Sequence, residues 1–186
     1  GKEINRNALI ALISAILLKE NKGAMIVTDS VTSDGLAKFI KDKGGKHLRF
    51  KRGYKNVINE AKRIMEEGGY APLAIETSGH AALSENYFLD DGAYLVTKLL
   101  IELANGKEKG YTLESLIASL EEPAESVEFR MSIGIEDFKA YGQNVIADLT
   151  EYASNADGWI VAPDNYEGIR VNFDAEHGNG GFLLRL

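Results

Sequence analysis

The chain has 186 residues, 45% of them hydrophobic and 26% charged, which is enough for one ordinary domain or two small ones with a buried core. Its net charge of −7 argues against a nucleic-acid partner, whose phosphates call for a basic surface. Cysteine is absent, which rules out disulfides and thiolate metal sites and suits a reducing, cytoplasmic location.

The longest apolar run, "ALIALISAILL" at Ala8 to Leu18, is too short to cross a bilayer and is broken by Ser14. Lys2, Glu3 and Arg6 precede it, and Lys19 and Glu20 close it without a small-residue cleavage site. A buried helix from Asn5 to about Asn21, stopped by Gly23, is therefore expected, with no membrane partner and no targeting segment. "AMIVTD" follows as a strand apolar on both faces. "TSDGLAKFIKDKG" places Leu36, Phe39 and Ile40 on one helical face and ends at Gly44 and Gly45. "KHLRFK" is a second strand, and "YKNVINEAKRIMEEG" is a helix with Val57, Ala61, Ile64 and Met65 inward. "PLAIE" is a third strand. This alternation predicts an α/β, three-layer domain with a mainly parallel sheet and right-handed crossovers.

After the helix "AYLVTKLLIELA" the polar stretch "NGKEKG", Asn105 to Gly110, reads as a link between domains, with a boundary at 106/107. Beyond it "LESLIASLEE" is a short helix stopped by Pro123, and "SVEFRMSI" alternates like a strand with one wet face. A long amphipathic helix from Glu136 to Ser154 precedes three strands, "GWIVAP", "EGIRVNFD" and "GFLLRL". That order predicts a smaller α+β domain with an antiparallel sheet. Its last strand runs to Leu186 in full stride, so a truncated domain is expected.

Ligands of open α/β sheets bind beyond the carboxyl ends of the strands. Three such ends carry polar residues: "TDSVTS" at Thr28 to Ser33, "KRGYKN" at Lys51 to Asn56, and "ETSGH" at Glu76 to His80. A carboxylate accepts paired hydrogen bonds from vicinal hydroxyls, a serine can donate or accept beside it, and glycine lets backbone approach a ligand. An imidazole next to them can touch a phosphate or move a proton. The residues alone leave two readings of "ETSGH" open, a polyol-binding turn and a structural loop. In "DDG", Asp90 or Asp91 is better suited to capping the next helix than to holding a cation. His47 and His177 read as surface residues, Arg170 as the wet face of a strand, and "KRGYKN" as a solvated basic loop. No nucleophile elbow, Walker loop, dinucleotide fingerprint or zinc spacing occurs.

"ETSGH" followed by "ENYFLDDGAY" resembles the sugar-recognition loop and following helix of the α-D-phosphohexomutases, in particular the bacterial phosphoglucomutases and phosphomannomutases. Residues 1–106 resemble the third of that family's four domains. Residues 107–186, with "DGWIVAPDNYEGIRVNFD" and "GFLLRL", resemble an incomplete fourth. The resemblance implies that Glu76 and Ser78 bind the hydroxyls of a glucose or mannose phosphate and that His80 lies near the transferring phosphate. Tyr54 stands where some relatives carry histidine, and "DSVTS" stands where some carry lysine. Lys55 and its basic neighbours are further phosphate candidates. Arg185 would open the C-terminal phosphate-binding loop. The family's phosphoserine and its Mg2+-binding aspartate loop belong to domains not matched here, so the chain is expected to hold no catalytic residue and no metal, to be inactive alone, and to need the missing N-terminal domains. The alternatives are a free-standing sugar-phosphate binding module and a non-binding structural pair of domains.

Overall fold

A computed structural model describes residues 4–186; Lys2 and Glu3, ahead of the first helix, lie outside the described residues. The chain divides into two compact units, the first ending at Ala124 and the second beginning at Glu125.

The first unit is built around a four-stranded sheet in the order β2-β1-β3-β4. Strand β1 (Met25–Asp29) pairs in parallel with β2 (Lys46–Phe50) and with β3 (Leu73–Ile75), while β4 (Ala81–Leu83) runs antiparallel to β3. Successive side chains of a strand face opposite sides, and this sets the layers. Ile26, Leu73, Ile75, Ala81 and Leu83 pack on one face against α1 (Arg6–Leu18), α2 (Asp34–Asp42) and α4 (Gly92–Lys109). Val27, Ala74 and Ala82 face the other way, onto α3 (Tyr54–Glu66). The expected three-layer, mainly parallel α/β domain is what forms. Asn5, where the first helix was expected to open, caps α1, and Ser33 caps α2, both through side-chain oxygens.

Three local expectations are corrected. Strand β4 was not anticipated: "AAL" pairs back onto β3, so "ETSGH" is a hairpin turn rather than an open loop. "NGKEKG" is not a link but the last turns of α4, and the units divide later in the chain. Gly106 permits this ending, because a Cβ there would stand 2.6 Å from the Tyr111 carbonyl oxygen as Gly110 and Tyr111 donate back to the Gly106 carbonyl. Of "LESLIASLEE", only α5 (Leu113–Leu116) is helical.

In the second unit α6 (Phe138–Asn155) covers an antiparallel meander of β5 (Trp159–Val161), β6 (Gly168–Phe173) and β7 (Gly181–Arg185). Ala153, Ile169 and Val171 form its buried centre, with Trp159, Phe173 and Phe182 around them. This is the expected small α+β domain. "SVEFRMSI" differs: no strand forms there, and Val127, Phe129 and Met131 are exposed. Its period is right for a strand, but a strand needs a ladder partner, and neither edge of the sheet pairs with it.

Candidate functional site

Beyond the last ladder pair of β1 and β3, Thr28 opposite Ile75, stand Asp29, the last residue of β1, and Glu76, the first residue after β3. Alternation turns both carboxylates toward the α3 side. Glu76 is 4% exposed, so its carboxylate is buried rather than solvent-facing. Its Oε1 accepts the Gly53 N–H at 2.6 Å, and its Oε2 accepts the Ser78 hydroxyl at 3.1 Å. Gly53 is the N-cap of α3 and offers no side-chain cap. The Glu76 carboxylate therefore lies at the positive end of that helix dipole, a favourable place for an anion.

The turn itself is closed by the Glu76 N–H donating to the His80 carbonyl at 2.9 Å and the Gly79 N–H donating to the Glu76 carbonyl at 3.0 Å. Gly79 has φ +100°, a conformation other residues adopt only under strain, so glycine is required. Ser78, Gly79 and His80 are exposed.

His80 is held from two sides. Its Nδ1 lies 2.6 Å from Asp90 Oδ2, and its ring stacks on Tyr54 at 5.0 Å between centroids. With Nδ1 engaged, Nε2 is the nitrogen left to meet a ligand. Asp90 also accepts the Ala81 N–H at 3.1 Å. Asp91 caps α4 by accepting the Tyr94 N–H at 3.0 Å, and that bond holds its carboxyl below the usual range. Of the two aspartates, Asp91 is the cap and Asp90 orients the histidine.

The structure thus gathers Glu76, Ser78, His80 and Tyr54 in one place. Lys55 is exposed beside them, its Nζ 6.0 Å from the Tyr54 ring centroid. Arg185 belongs to the second unit, at the end of β7 opposite Gly168. His47 is half-buried and its Nε2 meets the Thr28 hydroxyl at 2.8 Å, whereas His177 is an exposed turn residue bonded to Asp174. Arg170 is half-buried on β6.

Sequence reasoning named the strand ends that carry Asp29 and Thr77 but not the bonds between the two residues. Asp29 is fully buried, and its Oδ2 accepts both the backbone N–H of Thr77 at 3.2 Å and the Thr77 hydroxyl at 2.6 Å. Burial pushes its carboxyl up, the Thr77 donors oppose this, and the Glu76 charge adds to it. The only signal in the sequence was position: Asp29 and Thr77 stand at the ends of adjacent parallel strands. Exposed and oriented groups beside a buried carboxylate can read a hydroxylated ligand, with Ser78 donating or accepting and the free lone pairs of Glu76 accepting.

Comparison with known proteins gives the family. The family model described as phosphoglucomutase/phosphomannomutase, alpha/beta/alpha domain III, matches residues 5–123. The chain is 28% identical over 174 residues to a phosphoglucomutase of Neisseria gonorrhoeae, covering 93% of this chain and 35% of the relative. It is 28% identical over 178 residues to a phosphomannomutase/phosphoglucomutase of Pseudomonas syringae pv. tomato, covering 93% and 34%. Its fold is similar to the crystal structure of a phosphoglucomutase/phosphomannomutase family protein from Burkholderia thailandensis, with a TM-score of 0.73 and 28% identity over 100% of this chain and 35% of that one. The chain spans about a third of the length of the relatives it matches.

Proposed function

Because the chain belongs to the phosphoglucomutase/phosphomannomutase family, we propose that the Glu76–His80 turn reads the hexose of a glucose or mannose phosphate for a phosphohexomutase reaction. One observation carries the reading. A glutamate already fixed by Gly53 holds Ser78 at 3.1 Å, two residues from an exposed histidine stacked on Tyr54. A carboxylate held in advance loses little freedom when a sugar hydroxyl arrives. Glu76 and Ser78 then bond the hydroxyls, His80 lies near the phosphate with Asp90 fixing its ring, and Lys55 and Tyr54 line the approach. Arg185 is assigned to phosphate contact in the second unit, which is proposed to be part of the family's fourth domain.

In the intact enzyme these residues would bind and orient hexose 1-phosphate and hexose 6-phosphate while an enzyme phosphoserine exchanges the phosphoryl group. Orientation of this kind can supply a large part of a phosphoryl-transfer rate. The phosphoserine and its surrounding domains are proposed to lie outside this chain. The residues here do not fit magnesium: among the described residues no group of three or more His, Asp or Glu is placed to hold an ion. Asp90 and Asp91 spend their oxygens on His80, Ala81, Asn86 and Tyr94. We place any magnesium of the intact enzyme on residues outside this chain, as part of the same proposal. A cytoplasmic location belongs to the same proposal; among the described residues no helix is long and apolar enough to cross a membrane.

Calorimetric titration of glucose 1-phosphate into the chain tests the reading. Measurable binding that Glu76→Gln weakens at least about tenfold is expected. Absence of binding, or equal affinity in the variant, would overturn it. A coupled assay for glucose 6-phosphate on the same chain is expected to give background only.

A further inference from the structure

We propose that Asp29 is a positioning residue for the recognition turn, holding Thr77 so that Glu76 and Ser78 on either side of it keep the shape that meets a sugar. The proposal rests on the reading of that turn as the sugar-binding element. No other charged side chain among the described residues is as deeply buried as Asp29, at 0% exposure. Burying a carboxylate is unfavourable unless hydrogen bonds compensate it. Asp29 directs what compensation it has onto one residue: Oδ2 takes the Thr77 N–H and the Thr77 hydroxyl, while Oδ1 is buried without a hydrogen-bond partner.

Two donors from a single residue fix its backbone and its side-chain rotamer together. The location gives this consequence. The β1–β3 ladder ends at Thr28 and Ile75, so the Asp29–Thr77 bonds continue the tie between the strands for one more step through side chains. Without them the turn is left with the Glu76 N–H and Gly79 N–H bonds and with the Glu76 carboxylate on Gly53. Glu76 and Arg52 both act on the Asp29 carboxylate, the first unfavourably and the second favourably, which places it within the same electrostatic environment as the site.

The test uses the 186-residue chain with glucose 1-phosphate as probe and amide hydrogen exchange as a ligand-free readout. Thr77→Val keeps the shape and removes the hydroxyl, whereas Thr77→Ser keeps the donor. In Thr77→Val the Glu76 and Gly79 amides are expected to exchange about tenfold faster, with affinity for glucose 1-phosphate down about tenfold or more, the scale of one hydrogen bond to a charged acceptor. Ile26 and Val27 amides should stay as in the parent, and Thr77→Ser should restore both properties. Parent-like exchange and affinity in Thr77→Val would overturn the inference. If that variant does not fold, Asp29→Ala, which removes the acceptor altogether, decides: faster exchange at Glu76 and Gly79 supports the role, and unchanged exchange removes it. A parent chain that does not bind the probe overturns the sugar-reading function and with it the purpose given to Asp29. Parent-like Thr77→Val in a chain that does bind removes this inference alone.

Discussion

Glu76 and Gly53 are joined by a 2.6 Å hydrogen bond that ties the β3–β4 turn to the start of α3. The residue proposed to read the sugar is also a structural clamp, buried at 4% exposure. Glu76→Ala removes the acceptor of the Gly53 N–H and leaves space beside a helix N-terminus. A loss of about 2 kcal/mol in denaturant-unfolding stability of the first unit is expected, the scale of hydrogen bonds to a charged group. Glu76→Gln keeps an amide oxygen for Gly53 and should lose less. An alanine variant as stable as the parent would show that the clamp contributes nothing.

Asp91 provides a pH-dependent test of the cap. Its carboxyl is held below its ordinary value chiefly by the Tyr94 N–H, so it binds a proton less readily folded than unfolded. The stability it contributes is present above the unfolded pKa of about 3.9 and is lost as pH falls through the lower folded value. Asp91→Ala should lower the melting midpoint by a few degrees near pH 7, and the gap should close in strong acid. A gap that is the same at pH 7 and pH 2 would rule out the carboxylate cap.

Limited proteolysis distinguishes the observed boundary from the one expected from composition. Residues 105–110 are helical or cap α4, and Gly106 is buried, so they should resist. The stretch 121–137 is non-helical and exposed through most of its length. First cleavage is expected there, leaving a stable N-terminal piece that retains α4. Early cutting within 105–110 would contradict the α4 assignment.

Most of the sheet and its helices were legible because their apolar periods are long enough to be unambiguous. Leu36, Phe39 and Ile40 on α2, and Val57 and Ala61 on α3, are buried as their spacing requires. Strand β4 was not legible, since "AAL" has three residues and no alternation. "NGKEKG" misled through composition: glycine and charge suggest a linker, but Gly106 serves a close approach to Tyr111. "SVEFRMSI" carries a strand period that only a partner strand could realise. At the site, the residue types in "ETSGH" were visible from the start. The burial of Glu76 was not, because it depends on Gly53, 23 positions away, and Asp29 depends on Thr77 at 48. Such pairings follow from strand order rather than from any local pattern.

The central claim is that the Glu76–His80 turn recognises the sugar and not only a phosphate. Amide chemical-shift mapping of the chain with glucose 1-phosphate, and separately with inorganic phosphate, measures this most directly. Glucose 1-phosphate is expected to move the Gly53, Glu76, Ser78, Gly79 and His80 signals together, with Glu76 and Ser78 unmoved by phosphate alone. No movement at these residues, or the same movement with phosphate as with the sugar phosphate, would contradict the account.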